Sequence, residues 1–120
     1  MRYMLLIYDN ADTRDAFFGD SSEALSREID ALMEELTASG ELVGGEALAE
    51  PSSTRTVRTR DGALVVTDGP LAEAKEHFGG YLLVDCEGVE RATEIAARWP
   101  NARFAAMEVR PLMDPSGGEM

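Results

Sequence analysis

Between Thr67 and Tyr81 the chain sets Asp68, Lys75, Glu76 and its single histidine, His77, among the turn residues Gly69, Pro70, Gly79 and Gly80. Asp68 is a candidate general base or ligand acceptor, and Lys75 is the cation that would hold it ionised. His77 belongs to the residue type that exchanges protons near neutral pH, and Glu76 lies beside it. The same stretch also reads as plain architecture. Asp68-Gly69-Pro70 is a good helix start, Leu71, Ala74 and Phe78 share one helical face, and Gly79 is a terminator. The two readings are compatible. One histidine with scattered carboxylates does not supply the spacing of a zinc or iron site, so no metal and no cofactor is expected.

Other candidates lie on the flanking segments. Tyr8 and Tyr81 carry hydroxyls on otherwise apolar runs, and each is a candidate for orienting a ligand or for ordinary burial with a satisfied hydroxyl. Glu46, after Gly44-Gly45, becomes a ligand-binding candidate if it lies beside Asp68, as do Gly69 and Pro70 in the loop itself. Arg55, Arg58 and Arg60 form a basic strand in an acidic protein, suited to a small anion or to protecting an edge strand from aggregation. Cys86 sits between Asp85 and Glu87, whose charge disfavours a thiolate, and is not a candidate nucleophile.

These residues need elements to position them. Met1 to Tyr8 is apolar on both faces, ends at the turn-forming Asp9-Asn10-Ala11-Asp12 and reads as a strand whose two sides both require cover. Leu25, Ile29, Leu32, Met33 and Leu36 have helical spacing, with Asp20 as the expected cap and Gly40 as the expected stop. Glu41 to Leu48 reads as a strand interrupted at Gly44-Gly45, by a bulge or by the close approach of a ligand or another backbone. Thr54 to Arg60 and Ala63 to Thr67, joined by Asp61-Gly62, read as a hairpin. Tyr81 to Cys86 is a strand. Val89, Ala92, Ala96 and Trp99 trace a helix stopped by Pro100, and a last strand is expected over Arg103 to Arg110. The domain is expected over 1–112, with a flexible tail over 113–120 that has nothing to bury.

The order is a split βαβ pattern repeated twice around an inserted β-hairpin. This is the ferredoxin-like α+β class, with both helices on one sheet face. Apolar residues on the other face point to a second copy packing there, a homodimer closing an α+β barrel.

The totals narrow the function classes. A chain of 120 residues is sized for one domain, and 44% hydrophobic with 28% charged residues is the composition of a globular protein. Eleven basic against 23 acidic side chains leave a formal charge of -12, which opposes nucleic acid and anionic membrane as partners. One cysteine excludes an internal disulfide and suits a reducing cytoplasm. The apolar run at the start is too short for a signal core or a bilayer span.

The stretch Thr67-Asp-Gly-Pro-Leu-Ala-Glu-Ala-Lys-Glu-His-Phe-Gly-Gly-Tyr-Leu-Leu-Val84 resembles the signature of the YCII-related family, in particular its DGPF-domain branch. Arg2-Tyr3-Met4-Leu5-Leu6-Ile7-Tyr8, Gly45-Glu46-Ala47-Leu48 and Met107-Glu108-Val109-Arg110-Pro111 extend the resemblance over nearly the whole chain. It implies a dimeric α+β barrel, mostly without assigned activity. Dehydrochlorinase-like members have a histidine and aspartate pair proposed as their catalytic centre. Branch genes often neighbour those of extracytoplasmic-function sigma factors, which implies a regulatory association as the alternative to a small-molecule lyase or isomerase. Two positions depart from the pattern. Leu71 stands where the motif has phenylalanine, and Phe104 stands where many members carry a histidine, so any histidine chemistry here rests on His77.

Overall fold

The computed structural model describes residues 1–118. Strand β1, Arg2–Asp9, buries Tyr3 and Leu5 and leaves Met4, Leu6 and Tyr8 half-buried, the alternation that pleated backbone imposes. It runs between β5, His77–Asp85, and β6, Ala106–Pro111. Strand β2, Leu42–Ala47, pairs with the outer edge of β5, giving an antiparallel sheet of order β2-β5-β1-β6. The β2 register shifts between Leu42 and Gly44, which leaves Val43 as the bulged residue, whereas a Cβ on Gly45 would meet the Tyr81 carbonyl oxygen at 2.6 Å, the close backbone approach that was the other reading of the glycine pair.

Helix α2, Ser22–Ser39, buries Leu25, Leu32 and Leu36, and Gly40 ends it in the left-handed conformation with its N–H on the Thr37 carbonyl. Its cap position is Ser21 rather than the expected Asp20, and no side chain caps it. Helix α3, Val89–Arg98, buries Ala92, Ile95 and Ala96. Both helices join Tyr3, Leu5, Leu82 and Val84 in one core cluster, so they cover the same sheet face. Each fully buried leucine there is worth roughly 1.5–3 kcal/mol of transfer free energy. Glu41, just before β2, holds Arg91 of α3 through two bonds of 2.9 Å. The paired guanidinium, then the Ser39 hydroxyl, lowers the Glu41 carboxyl to about 2. Burial is the first cause that raises the Cys86 thiol, ahead of its acidic surroundings.

Strands β3, Arg55–Arg60, and β4, Ala63–Asp68, form a separate two-stranded sheet. Asp61 and Gly62 have φ of 52° and 78°, the left-handed pair that a two-residue hairpin turn needs.

Three expectations change. A helix, α1, spans Ala11–Phe18, where only a turn was foreseen; Asn10 and Thr13 cap it reciprocally, although the segment has little amphipathic pattern. The expected helix from Pro70 to Phe78 does not form, and residues 69–76 are irregular. Pairing with β1 draws His77 and Phe78 into β5, and the few residues left over are too short to nucleate a helix. The last strand begins at Ala106, not Arg103, because α4, Asn101–Phe104, makes one helical turn first. In the expected tail, Asp114 accepts bonds from the backbone of Ser116 and Gly118; residues 119–120 lie outside the described residues.

Candidate functional site

The end of β1 carries a closed set of buried polar groups. Asn10 and Asn101 are 7% and 2% exposed and Thr13 is 1% exposed, so each polar atom needs a partner within the protein. Asn10 Oδ1 accepts from the Thr13 N–H at 3.0 Å. Asn10 Nδ2 donates to the Phe104 carbonyl at 2.9 Å and to Glu76 Oε2 at 3.4 Å. The Thr13 hydroxyl donates to the Asn10 carbonyl at 2.8 Å, and Asp9 Oδ1 is 3.3 Å away. Asn101 Nδ2 donates both to the Tyr8 carbonyl and to Asp9 Oδ1, each at 2.8 Å. One amide thus ties α4 to the last residues of β1 and fixes the Asp9 carboxylate.

The other Asp9 oxygen lies over Gly79. A Cβ placed on Gly79 would sit 1.8 Å from Oδ2, so this approach requires glycine. Gly80 serves a different contact: its Cβ would meet the Glu46 carbonyl oxygen of β2 at 2.7 Å. The two glycines of the focal stretch therefore make room for a carboxylate and for a neighbouring strand. Gly79 is also the extra residue where the β1 to β5 register shifts, and beyond it Asp9 pairs with His77.

Asp9, Phe17 and Gly79 stand between two adjoining hollows. The smaller, about 190 Å³, is a recess that includes Arg14, Glu50 and His77, with Arg14 ion-paired to Glu50 at its rim. The larger, about 390 Å³, is a chamber between α2 and the sheet, walled by Ile7, Ile29, Met33, Leu82 and Trp99, with Glu46 and Tyr81 at the β2 side. Its size and apolar walls with a few polar groups at one end are those of a small-molecule site.

The residues singled out from the sequence separate into five places. His77 reaches the recess, and Glu46 and Tyr81 border the chamber with their backbone, because the register sets both side chains with Leu6 on the opposite sheet face. Lys75 lies in another hollow with Tyr8, Glu76 and Glu108. There the Glu108 carboxylate bonds the Tyr8 hydroxyl and, with burial and its own charge, raises the tyrosine's pKa. The Tyr8 ring meets Phe78 edge-on at 6.0 Å. Asp68 is exposed at the end of β4 opposite Arg55 and lines none of these hollows. Gly69 closes the hairpin root, its N–H on the Thr54 carbonyl at 2.7 Å and its carbonyl accepting from Thr56 Oγ1 at 2.8 Å. Pro70 lies with Leu71, His77 and Phe78 in a shallow hollow beside Pro51. Asp68, Lys75, Glu46 and His77 are therefore not brought to one cavity.

Asp9, Asn10, Thr13 and Asn101 were not singled out. Asn10-x-x-Thr13 did offer a signal, the spacing of a reciprocal helix cap. Asn101, following Pro100, offered none, because its partners lie about ninety residues away in the chain. Among the described residues no group of three or more His, Cys, Asp or Glu is arranged to hold a metal ion. No helix there is long and apolar enough to cross a membrane.

Asp9 and His77 face each other at one end of the pairing between the apolar N-terminal strand and the focal motif, so the site draws on segments far apart in the chain. Similarity to known proteins extends as widely. The uncharacterized protein R00369 of Rhizobium meliloti (strain 1021) is 30% identical over 122 residues, covering 100% of this chain and 98% of that protein. The YCII-related domain matches residues 1–116, which takes in every element of both sheets and each residue of the site, and the chain belongs to the YCII-related family.

Proposed function

We propose that this protein binds a small molecule where the chamber meets the recess and moves a proton within it, the chemistry of a lyase or an isomerase. The observation that supports this reading is the meeting of Asp9 and His77 across the β1 to β5 register at the edge of an apolar chamber. Asp9 is held from one side by Asn101, so it is preorganised to fix a ligand's polar group. The His77 imidazole opens into the recess beside it and exchanges the proton. Lys75 and Asp68, which lie elsewhere, have no part in this version of the site.

The fold reading that goes with it is ferredoxin-like, with β3–β4 as an inserted hairpin, in the DGPF branch of the family. The sheet face opposite the helices, with Met4, Leu6 and Leu83 half-buried, is the contact of a homodimeric α+β barrel. Sedimentation equilibrium tests this: twice the chain mass for the native protein and the single-chain mass for Leu6→Lys are expected, and a native monomer at all concentrations would exclude it.

The chemistry is tested by proton NMR in D2O. Uptake of deuterium at ligand C–H positions is followed over a panel of small carbonyl and amino-substituted compounds, with native protein, Asp9→Asn and His77→Gln. Catalysed uptake that falls by about 10²- to 10⁴-fold in His77→Gln, with far-UV dichroism unchanged, is the expected result. Compounds that bind without uptake, or uptake indifferent to both substitutions, would remove the proposal.

A further inference from the structure

The charges around the chamber restrict what can enter it. Its lining includes one side-chain carboxylate, Asp9, and among the described residues no lysine, arginine or histidine. The adjoining recess has Arg14 and His77, but Arg14 is paired with Glu50. Glu76 adds a further carboxylate beside Asn10. Asp9 accepts from the neutral donor Asn101 and has no ion pair with a basic side chain among the described residues. All this sits in a chain whose formal charge is -12. A carboxylate or phosphate ligand would meet repulsion from Asp9, while a cation would meet attraction.

The walls add shape. Ile7, Ile29, Met33 and Leu82 are aliphatic or thioether groups, and Phe17 and Trp99 are aromatic. An apolar cavity of about 150 Å³ is enough to hold benzene, and this chamber has about 390 Å³. It therefore takes a ring with a substituent. Aromatic faces also attract a neighbouring ammonium through their quadrupoles.

We propose that the chamber is a site for organic amines, the apolar or ring-bearing body lying against Ile29, Met33 and Trp99 and the ammonium group held by Asp9. This rests on the preceding placement of the ligand site and names its ligand class. A C–H next to the ammonium would then lie toward His77.

An isosteric series separates charge from shape: benzylamine, benzyl alcohol and benzoate share one ring and carry positive, zero and negative charge. Trp99 is the sole tryptophan, so its emission, excited selectively, reports occupancy of the chamber. Benzylamine is expected to bind at least tenfold more tightly than benzoate, with benzyl alcohol between them. The margin should shrink when salt is raised from about 0.01 M to 1 M, as the Debye length falls from about 30 Å to 3 Å. Asp9→Asn should cut the preference for benzylamine over benzyl alcohol severalfold. If Asp9→Asn does not fold, the salt dependence of that margin in the native protein gives the same reading. Ile29→Phe should abolish the response to all three rings.

Benzoate binding as tightly as benzylamine, or no Trp99 response to any of the three, would overturn the proposal. A margin that Asp9→Asn leaves unchanged, or that salt does not alter, would do so too. The outcome is distinct from that of the proton-transfer reading. Charge-selective benzylamine binding without deuterium uptake leaves the amine site standing and removes the chemistry. Deuterium uptake in an anionic compound, with benzoate bound equally well, does the reverse.

Discussion

The Asp9 end of β1 and the β3–β4 hairpin are the two regions where polar and turn-forming residues crowd together, and they are built in opposite ways. Around Asp9 the amides of Asn10 and Asn101 are buried, and each reaches a partner from another element of the fold. In the hairpin the register places Val57, Leu64 and Val66 on one face, and they are 61%, 70% and 45% exposed. Arg58 and Arg60 lie on the other face. A single hairpin has marginal stability in water. The projecting arm also spreads the chain to a radius of gyration of 16.5 Å, against about 13.6 Å for a compact domain of this length. A rich local motif does not by itself make a site. What distinguishes the first region is that distant segments close around it and exclude water, which makes each polar contact costly to lose.

That contrast orders the expected effects of substitution. Asn101→Leu should be the most damaging, since it strips the donor from the Tyr8 carbonyl and the Asp9 carboxylate in a buried setting; a loss of about 2–4 kcal/mol in urea unfolding is expected. A loss below 0.5 kcal/mol would put the polar end on the same footing as the hairpin. Gly80→Ala should follow at about 1–3 kcal/mol, because its Cβ would meet backbone of β2 rather than a movable side chain.

At the opposite end of the sheet, Glu41→Gln should cost about 1–2 kcal/mol at neutral pH. The Glu41 carboxyl is depressed from an ordinary value of 4.5 to about 2 in the folded state. Its stabilisation is therefore complete above 4.5 and is lost as pH falls through about 2. The native and Glu41→Gln unfolding curves should converge below that pH, and a gap that persists there would exclude the ion pair as the cause. Smallest of all, Val57→Thr or Leu64→Ser in the hairpin should change stability by no more than about 0.5 kcal/mol. A loss above 1 kcal/mol that depends on protein concentration would mean that the exposed apolar face is covered in solution, and the contrast would fail.

Local patterns carried much of the fold. Period-two burial in β1, helical spacing in α2 and the Asp61-Gly62 turn were legible because neighbouring residues alone dictate them. The Pro70 to Phe78 segment was misread because its helical propensity was overridden by pairing of His77 and Phe78 with β1. Helix α1 was missed for the converse reason, since its cap partners are local but its apolar pattern is weak. Of the candidate site, His77 was legible as an unusual residue in a motif, whereas the register turns the side chains of Glu46 and Tyr81 to the other sheet face. Asp9 was visible only as part of a turn, and Asn101 was not visible at all.

By itself the sequence determined the strands, the two long helices, the hairpin turn, the acidic charge and the family, because these follow from short-range periodicity, backbone preference and residue identity. Only the tertiary structure decided that His77 lies opposite Asp9 while Asp68 and Lys75 lie elsewhere. The physical reason is strand register: one bulge at Gly79 sets which side chains share a face, and no local pattern encodes that choice.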